Sequence, residues 1–142
     1  MLYLSEKKKE VKKEIPEEVK QTFTYAVLRI YSALSYGSAG DMVRWITDLL
    51  RYASYYGYDK YFMDVFKRIL DDVSTRPEHF QMRFARYLDS RLNDMITRPE
   101  GAIVGKLARK AADIKEKKFK EYITPSKKIK EQVDSIINEV FK

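Results

Sequence analysis

Ten basic side chains lie between residues 106 and 130, and they are the feature of this sequence best suited to binding chemistry. The same stretch has three acidic residues, so its balance of +7 equals the net charge of the 142-residue chain. Cations concentrated in this way attract polyanions, of which nucleic acid is the commonest. Lysine predominates, and an ammonium group meets a phosphate as a point charge rather than reading base edges. The stretch therefore predicts phosphate contacts with little sequence preference.

A helix over residues 100–122 would place most of these cations on one face. Five of them fall within an arc of about 100°, which Asp113 shares: Lys106, Arg109, Lys110, Lys117 and Lys120. The broadly opposite side is apolar, through Val104, Leu107, Ala111, Ile114 and Phe119. We expect the apolar side to pack on a core and the cationic side, with Lys118, to bind nucleic acid. The alternatives are a solvated face, an acidic protein partner or an anionic membrane surface.

Arginine forms a second candidate patch on the preceding helix. Arg83 and Arg86 are three residues apart and share a face of that helix. A guanidinium group suits bidentate phosphate contact, so both are candidate nucleic-acid-binding residues. The alternative is ion pairing along the same helix, with Glu78, Asp89 and Asp94 as partners.

Tyrosines cluster in residues 51–62, which read RYASYYGYDKYF. Tyrosine combines a large apolar ring with a polar tip, which suits a protein interface. The candidate interface residues are Tyr52, Tyr55, Tyr56, Tyr58 and Tyr61. The rings could instead line the edge of a core or stack on unpaired bases.

The last apolar pattern of the chain has the 4-3-4 spacing of a helix face. Its residues are further interface candidates: Ile129, Val133, Ile136 and Val140. We expect this helix to close the protein's own bundle. Docking in a partner's groove or pairing with itself is the alternative.

Apolar residues recur at three- and four-residue spacing from Val19 onward, which is typical of amphipathic helices. We expect an all-α helical bundle of five or six such helices with short loops. Residues 1–15 are predicted to be a charged N-terminal arm, and residues 16–142 a single helical domain. The loop Gly37-Ser38-Ala39-Gly40 should separate the first two helices.

A four-residue motif occurs twice and predicts two helix starts. Thr75-Arg76-Pro77-Glu78 recurs as Thr97-Arg98-Pro99-Glu100. Each has the form of a capping box, in which the threonine caps the helix and the glutamate reaches back.

The residues needed for most catalytic chemistry are missing. There is no cysteine and a single histidine, His79, without a metal-ligand motif. No nucleophile set and no phosphate-binding glycine loop can be assembled. We expect a protein that is not an enzyme and needs no metal or cofactor. No apolar run reaches the ~20 residues of a membrane span, so we expect a cytoplasmic or virion protein.

Three segments carry a resemblance to a viral protein class. The basic arm EKKKEVKKE, the tyrosine-rich RYASYYGYDKY and the basic KLARKAADIKEKKFK resemble coat proteins of filamentous viruses of hyperthermophilic archaea. Those proteins are small, basic, cysteine-poor helical bundles that wrap duplex DNA. The resemblance implies a self-assembling, thermophilic archaeal virion subunit that coats nucleic acid, with duplex DNA favoured over single-stranded RNA.

A second resemblance covers about 50 residues. LLRYASYYGYDKYFMDVFKRILDDV followed by HFQMRFARYLDSRLNDMI looks similar to helix pairs in the small subunits of type III CRISPR effectors. It implies a subunit of an RNA-guided complex. The two functional hypotheses share a nucleic-acid backbone as ligand and a homo- or hetero-oligomeric assembly. A third hypothesis is a protein-interaction module without nucleic acid.

Overall fold

A computed structural model describes residues 15–98, 102–123 and 127–142. This part of the chain has six helices and no strand, which confirms the all-α fold class. The helices are α1 (Glu17–Tyr36), α2 (Ala39–Tyr56), α3 (Asp59–Val73), α4 (Glu78–Thr97), α5 (Ala102–Ile123) and α6 (Lys127–Val140). The predicted arm at residues 1–15 lies, apart from its last residue, outside the described part of the chain.

Two glycines end the first two helices. Gly37 and Gly57 adopt φ of 77° and 79°, in the left-handed region that side-chain-bearing residues avoid. Ser38 then caps α2, because its hydroxyl accepts a hydrogen bond from the Asp41 backbone N–H at 3.3 Å. Helix α2 therefore begins at Ala39 and includes Gly40. The observed loop is shorter than the predicted one, which covered residues 37–40.

The capping boxes predicted at the two threonines are wrong where they can be checked. The Thr75 hydroxyl donates to the Asp72 carbonyl at 2.8 Å, and so completes α3 instead of capping α4. Gln81 donates to the carbonyls of Ser74 and Arg76, which fixes the turn between the helices. The Thr97 hydroxyl likewise turns back to the Asn93 carbonyl, and Pro99 and Glu100 lie outside the described residues. In both cases the threonine hydroxyl bonds to a carbonyl three or four residues earlier in the chain, a local bond that competes with capping of the following helix.

Neighbouring helices pack as antiparallel pairs around α2. In the α1–α2 pair, the ring of Tyr25 meets that of Trp45 edge-on with centroids 5.5 Å apart. In the α4–α5 pair, the rings of Phe84 and Phe119 meet at 6.0 Å. Helices α3, α4 and α5 also contact α2, which is thereby surrounded by four helices. The largest fully buried side chains include Phe62, Phe66, Phe84, Phe119, Ile30, Met42 and Ile46.

Helix α6 takes no part in this core. Every described side chain from residue 130 to residue 142 is exposed. The expectation that α6 closes the bundle is therefore wrong for these residues. The physical reason is that α2, the central helix, is already covered by the other four, so the bundle is closed before α6 begins.

Candidate nucleic-acid interface

The predicted division of α5 into two faces is present in the structure. Val104, Leu107, Ala108 and Ala111 are fully buried, each 0% exposed. All six predicted cations of this helix are exposed, and four of them precede Phe119 and form no ion pair within the described residues, namely Lys106, Arg109, Lys110 and Lys117. From Lys106 to Lys117 the helix rises about 17 Å, so these cations form a band along one side of the bundle. We call these four residues the α5 cation band.

The α5 cation band has no ion-pair partner among the described residues. Two exposed acids, Asp113 and Glu116, share the face without forming a salt bridge to it. The ammonium and guanidinium groups are therefore hydrated and available to an external anion. Cations that neutralise phosphates release the counterions condensed on a nucleic acid, and this release drives binding to its backbone.

Two other lysines of α5 form ion pairs with neighbouring helices, one buried and one at the surface. Lys115 has a side chain only 3% exposed and forms an ion pair with Asp89 of α4. Lys118, a predicted nucleic-acid-binding residue, donates to Asp71 of α3 at 2.7 Å. Both lysines hold helices together, so the external field of α5 comes from the α5 cation band and Lys120.

Lys120 is separated from the band by a break in the helix. Phe119 has φ −120° and ψ 28°, values outside the helical range, and its ring is buried against Phe84. The prediction that placed the cations on one arc assumed a regular helix, and this assumption does not hold beyond Phe119. Lys120 is exposed, as predicted, but its place on the same arc does not follow from the spacing.

The two candidate arginines are exposed and differ in their contacts. Arg86 donates from Nε to the carbonyl of Tyr122 at 3.4 Å, near the end of α5. A cation suits that position, because the last carbonyls of a helix are unsatisfied and carry negative partial charge. Arg83 makes no such contact within the described residues. The predicted pairing along α4 is not formed at Asp89, which binds Lys115 instead.

The tyrosine cluster divides between the core edge and the surface. Tyr52 and Tyr58 are half-buried against the core, and the ring of Tyr52 lies 4.9 Å from that of Tyr56. Tyr55, Tyr56 and Tyr61 are 60%, 66% and 41% exposed. Three of the five rings are therefore placed where an interface could use them.

The apolar face of α6 is open to solvent. Four of its side chains, and that of the residue directly after the helix, are exposed by about half or more: Val133, Ile136, Ile137, Val140 and Phe141. We call these five residues the α6 apolar stripe. Ile129, the remaining predicted interface residue of this helix, has a side chain outside the described set.

One surface cluster was not predicted from the sequence. Arg29 lies over the rings of Tyr25 and Trp45, 5.2 Å and 5.8 Å from their centroids, and donates to the Tyr25 hydroxyl. Leu28 beside it is 60% exposed. The four-residue spacing of Tyr25 and Arg29 could have predicted their contact, because residues four apart are neighbours on a helix. The sequence does not show that Trp45, on the next helix, packs beside them.

The described residues offer no alternative centre for metal chemistry, since no three of their acidic and histidine side chains are grouped to hold an ion. His79 is exposed in the first turn of α4. None of the described helices has the length and hydropathy needed to span a lipid bilayer. No protein-family model, curated protein or solved structure matches the chain.

Proposed function

We propose that this protein is a non-enzymatic subunit that binds the backbone of nucleic acid without sequence preference. The observation that carries the proposal is the α5 cation band, whose four cations are exposed while the other side of the helix is buried. Lysines and one arginine on a straight segment of helix can neutralise phosphates, and they carry no pattern that would read bases.

The form of the band favours duplex nucleic acid. A rise of about 17 Å corresponds to about five base pairs at 3.4 Å per step. The helix is supported along this length by its buried face, so the cations keep a fixed spacing. A rigidly held array suits a regular duplex better than a flexible single strand.

The finer role that we propose is coating: many copies lie along one nucleic acid, as in the virion subunits that the sequence resembles. Two open surfaces support assembly, the exposed tyrosines of α2–α3 and the α6 apolar stripe. A subunit of an RNA-guided complex is the second candidate, favoured by the exposed tyrosine rings, on which unpaired bases can stack.

Binding measured against salt concentration tests the proposal. The purified chain is titrated into labelled duplex DNA and into single-stranded RNA of equal length at several salt concentrations. We expect the logarithm of the association constant to fall linearly with the logarithm of salt, with a slope of about −3 to −4.5 for four or five neutralised phosphates. Duplex DNA should bind more tightly than RNA, and the reverse order would favour the RNA-guided subunit.

A matched pair of variants locates the binding face. Changing Lys106, Lys110, Lys117 and Lys120 together to Glu should abolish binding with helicity unchanged. The control changes four exposed cations elsewhere to Glu, at Lys20, Arg44, Lys60 and Lys67, and has the same net charge. The control should retain most of the affinity. Equal losses in both variants would mean that only net charge matters, and unchanged affinity in the first would refute the site.

A further inference from the structure

We infer that α6 is a dimerisation helix, and that its α6 apolar stripe packs antiparallel against the same stripe of a second copy of this chain. The inference concerns assembly alone and goes beyond nucleic-acid binding. It deepens the proposed coating role, and its experiments are carried out without nucleic acid, so it can fail while the proposed nucleic-acid binding stands.

The first argument is that α6 needs a partner to be stable. The helix has 14 residues, and isolated helices shorter than about 12–15 residues are marginal in water. None of its described side chains is buried by the bundle. Stability must therefore come from packing of the apolar stripe against another surface, since packing supplies most of the stability of protein helices.

The second argument is the distribution of charge along α6, which identifies the surface that packs against the α6 apolar stripe. The first turn contains Lys127, Lys128 and Lys130 and no acid. The following turns contain Glu131, Asp134 and Glu139. The basic end thus opposes the dipole of its own helix, which favours negative charge at the N-terminus.

An antiparallel second copy resolves this conflict. It places Glu139 of one helix level with Lys130 of the other at both ends of the pair, while Asp134 lies near the two-fold axis, and it also opposes the two helix dipoles. A parallel pair would bring lysines beside lysines and acids beside acids, and like charges facing each other disfavour such an arrangement. The charges of Lys130 and Glu139 therefore favour the antiparallel orientation over the parallel one.

The spacing of the stripe gives the register. With Val133 and Ile136 at the centre, an antiparallel pair sets Val133 against the partner's Ile136 and Ile136 against the partner's Val133. The same offset aligns the position of Val140 with that of the partner's Ile129. The pairing is isologous, with a two-fold axis midway between residues 133 and 136.

Sedimentation of the full-length chain tests the existence of the dimer. We expect a dimer at micromolar concentration, and a monomer for the variant in which Val133 and Ile136 are both changed to Glu. The matched control changes Leu28 and Ile103, which are 60% and 56% exposed on other helices, to Glu. The control should remain dimeric. A monomeric wild-type chain, or a dimer that survives in the Val133/Ile136 variant, would overturn the inference.

Charge reversal tests complementarity. One variant changes Lys127, Lys128 and Lys130 to Glu, and the other changes Glu131, Asp134 and Glu139 to Lys. Each has a helix of a single sign of charge and should be monomeric alone. An equimolar mixture should restore a dimer, because the two helices then attract. Dimerisation of either variant alone would refute the role of charge.

Cysteine cross-linking decides the orientation, and the natural chain has no cysteine to interfere. Val133→Cys and Ile136→Cys are prepared as separate variants and oxidised alone and mixed. We expect a disulfide mainly in the mixture, between residue 133 of one copy and residue 136 of the other. Efficient cross-linking of either variant alone, with none between the two, would indicate a parallel pair and overturn the proposed geometry.

Discussion

Two neighbouring carboxylates near the end of α3 hold two different helices. Asp71 accepts from Lys118 of α5, and Asp72 accepts from the Tyr31 hydroxyl of α1. Acidic side chains at a helix C-terminus are unfavourable, by about 0.3–1 kcal/mol each. The two donors offset this cost and join α3 to partners distant in the sequence. The acids were visible in the sequence, but their partners depend on how the helices pack.

Tyr31 should make stability sensitive to alkaline pH. Burial raises its pKa above the ordinary 10.0, and the hydrogen bond to the Asp72 carboxylate raises it further. Above pH 10.0 the unfolded chain loses this proton while the folded chain keeps it, so stability falls as pH rises. At neutral pH, Tyr31→Phe should cost about 1 kcal/mol.

Denaturant unfolding of the wild type and Tyr31→Phe at a series of pH values checks this. The advantage of the wild type should be constant at neutral pH and shrink above pH 10.0. Subtracting the two curves removes the contribution of the other tyrosines, which both chains share. A difference that is independent of pH would contradict the assignment.

The buried ion pair between Lys115 and Asp89 should respond unequally to loss of its two members. Asp89→Ala leaves an ammonium group whose side chain is 3% exposed, and removing one partner of a buried pair costs about 3–5 kcal/mol. Lys115→Met should cost less, because the Asp89 side chain is 35% exposed and water can solvate it. Urea unfolding of both variants measures the difference, and equal losses would contradict this account.

At the scale of the helices, the stability of the protein should change in opposite directions when alanine replaces Gly57, directly after α2, and Gly40, in its first turn. Gly57→Ala should destabilise by about 1 kcal/mol, because the backbone there has φ 79° although the space around it is open. Gly40 lies in the first turn of α2, where an added Cβ would meet only the Tyr87 ring at 4.0 Å. Gly40→Ala should therefore stabilise by about 0.5 kcal/mol. Thermal unfolding gives both signs, and the same sign for both would refute the argument.

Much of α5 could be predicted from the sequence, because an amphipathic pattern depends only on regular helical geometry. The buried positions Val104, Leu107 and Ala111 follow from it, as does the exposure of the α5 cation band. Phe119 is buried as the pattern predicts, but its backbone leaves the helical range, so regular helical geometry does not extend past it. The pattern fails at Lys118, because a side chain's partner on another helix is not encoded in the spacing along its own helix.

For the whole molecule, the number and order of helices were predictable and the role of the last one was not. Short loops, the glycines at positions 37 and 57 and continuous apolar periodicity predict five or six helices, and the described residues form six. The same periodicity in α6 does not say whether its stripe meets the protein's own core or a second chain. That choice depends on how many helices α2 can contact, which is a property of the assembled bundle.

The succession of antiparallel neighbours also has a kinetic consequence. Helices α1 and α2, and then α4 and α5, can each form a pair by closing a short loop, at little cost in chain entropy. Proteins dominated by such local contacts fold in microseconds to milliseconds. The hydrogen bonds of Asp71 and Asp72 span 47 and 41 positions of the chain. Since closing a longer loop costs more chain entropy, we expect the end of α3 to be fixed after the two local pairs have formed.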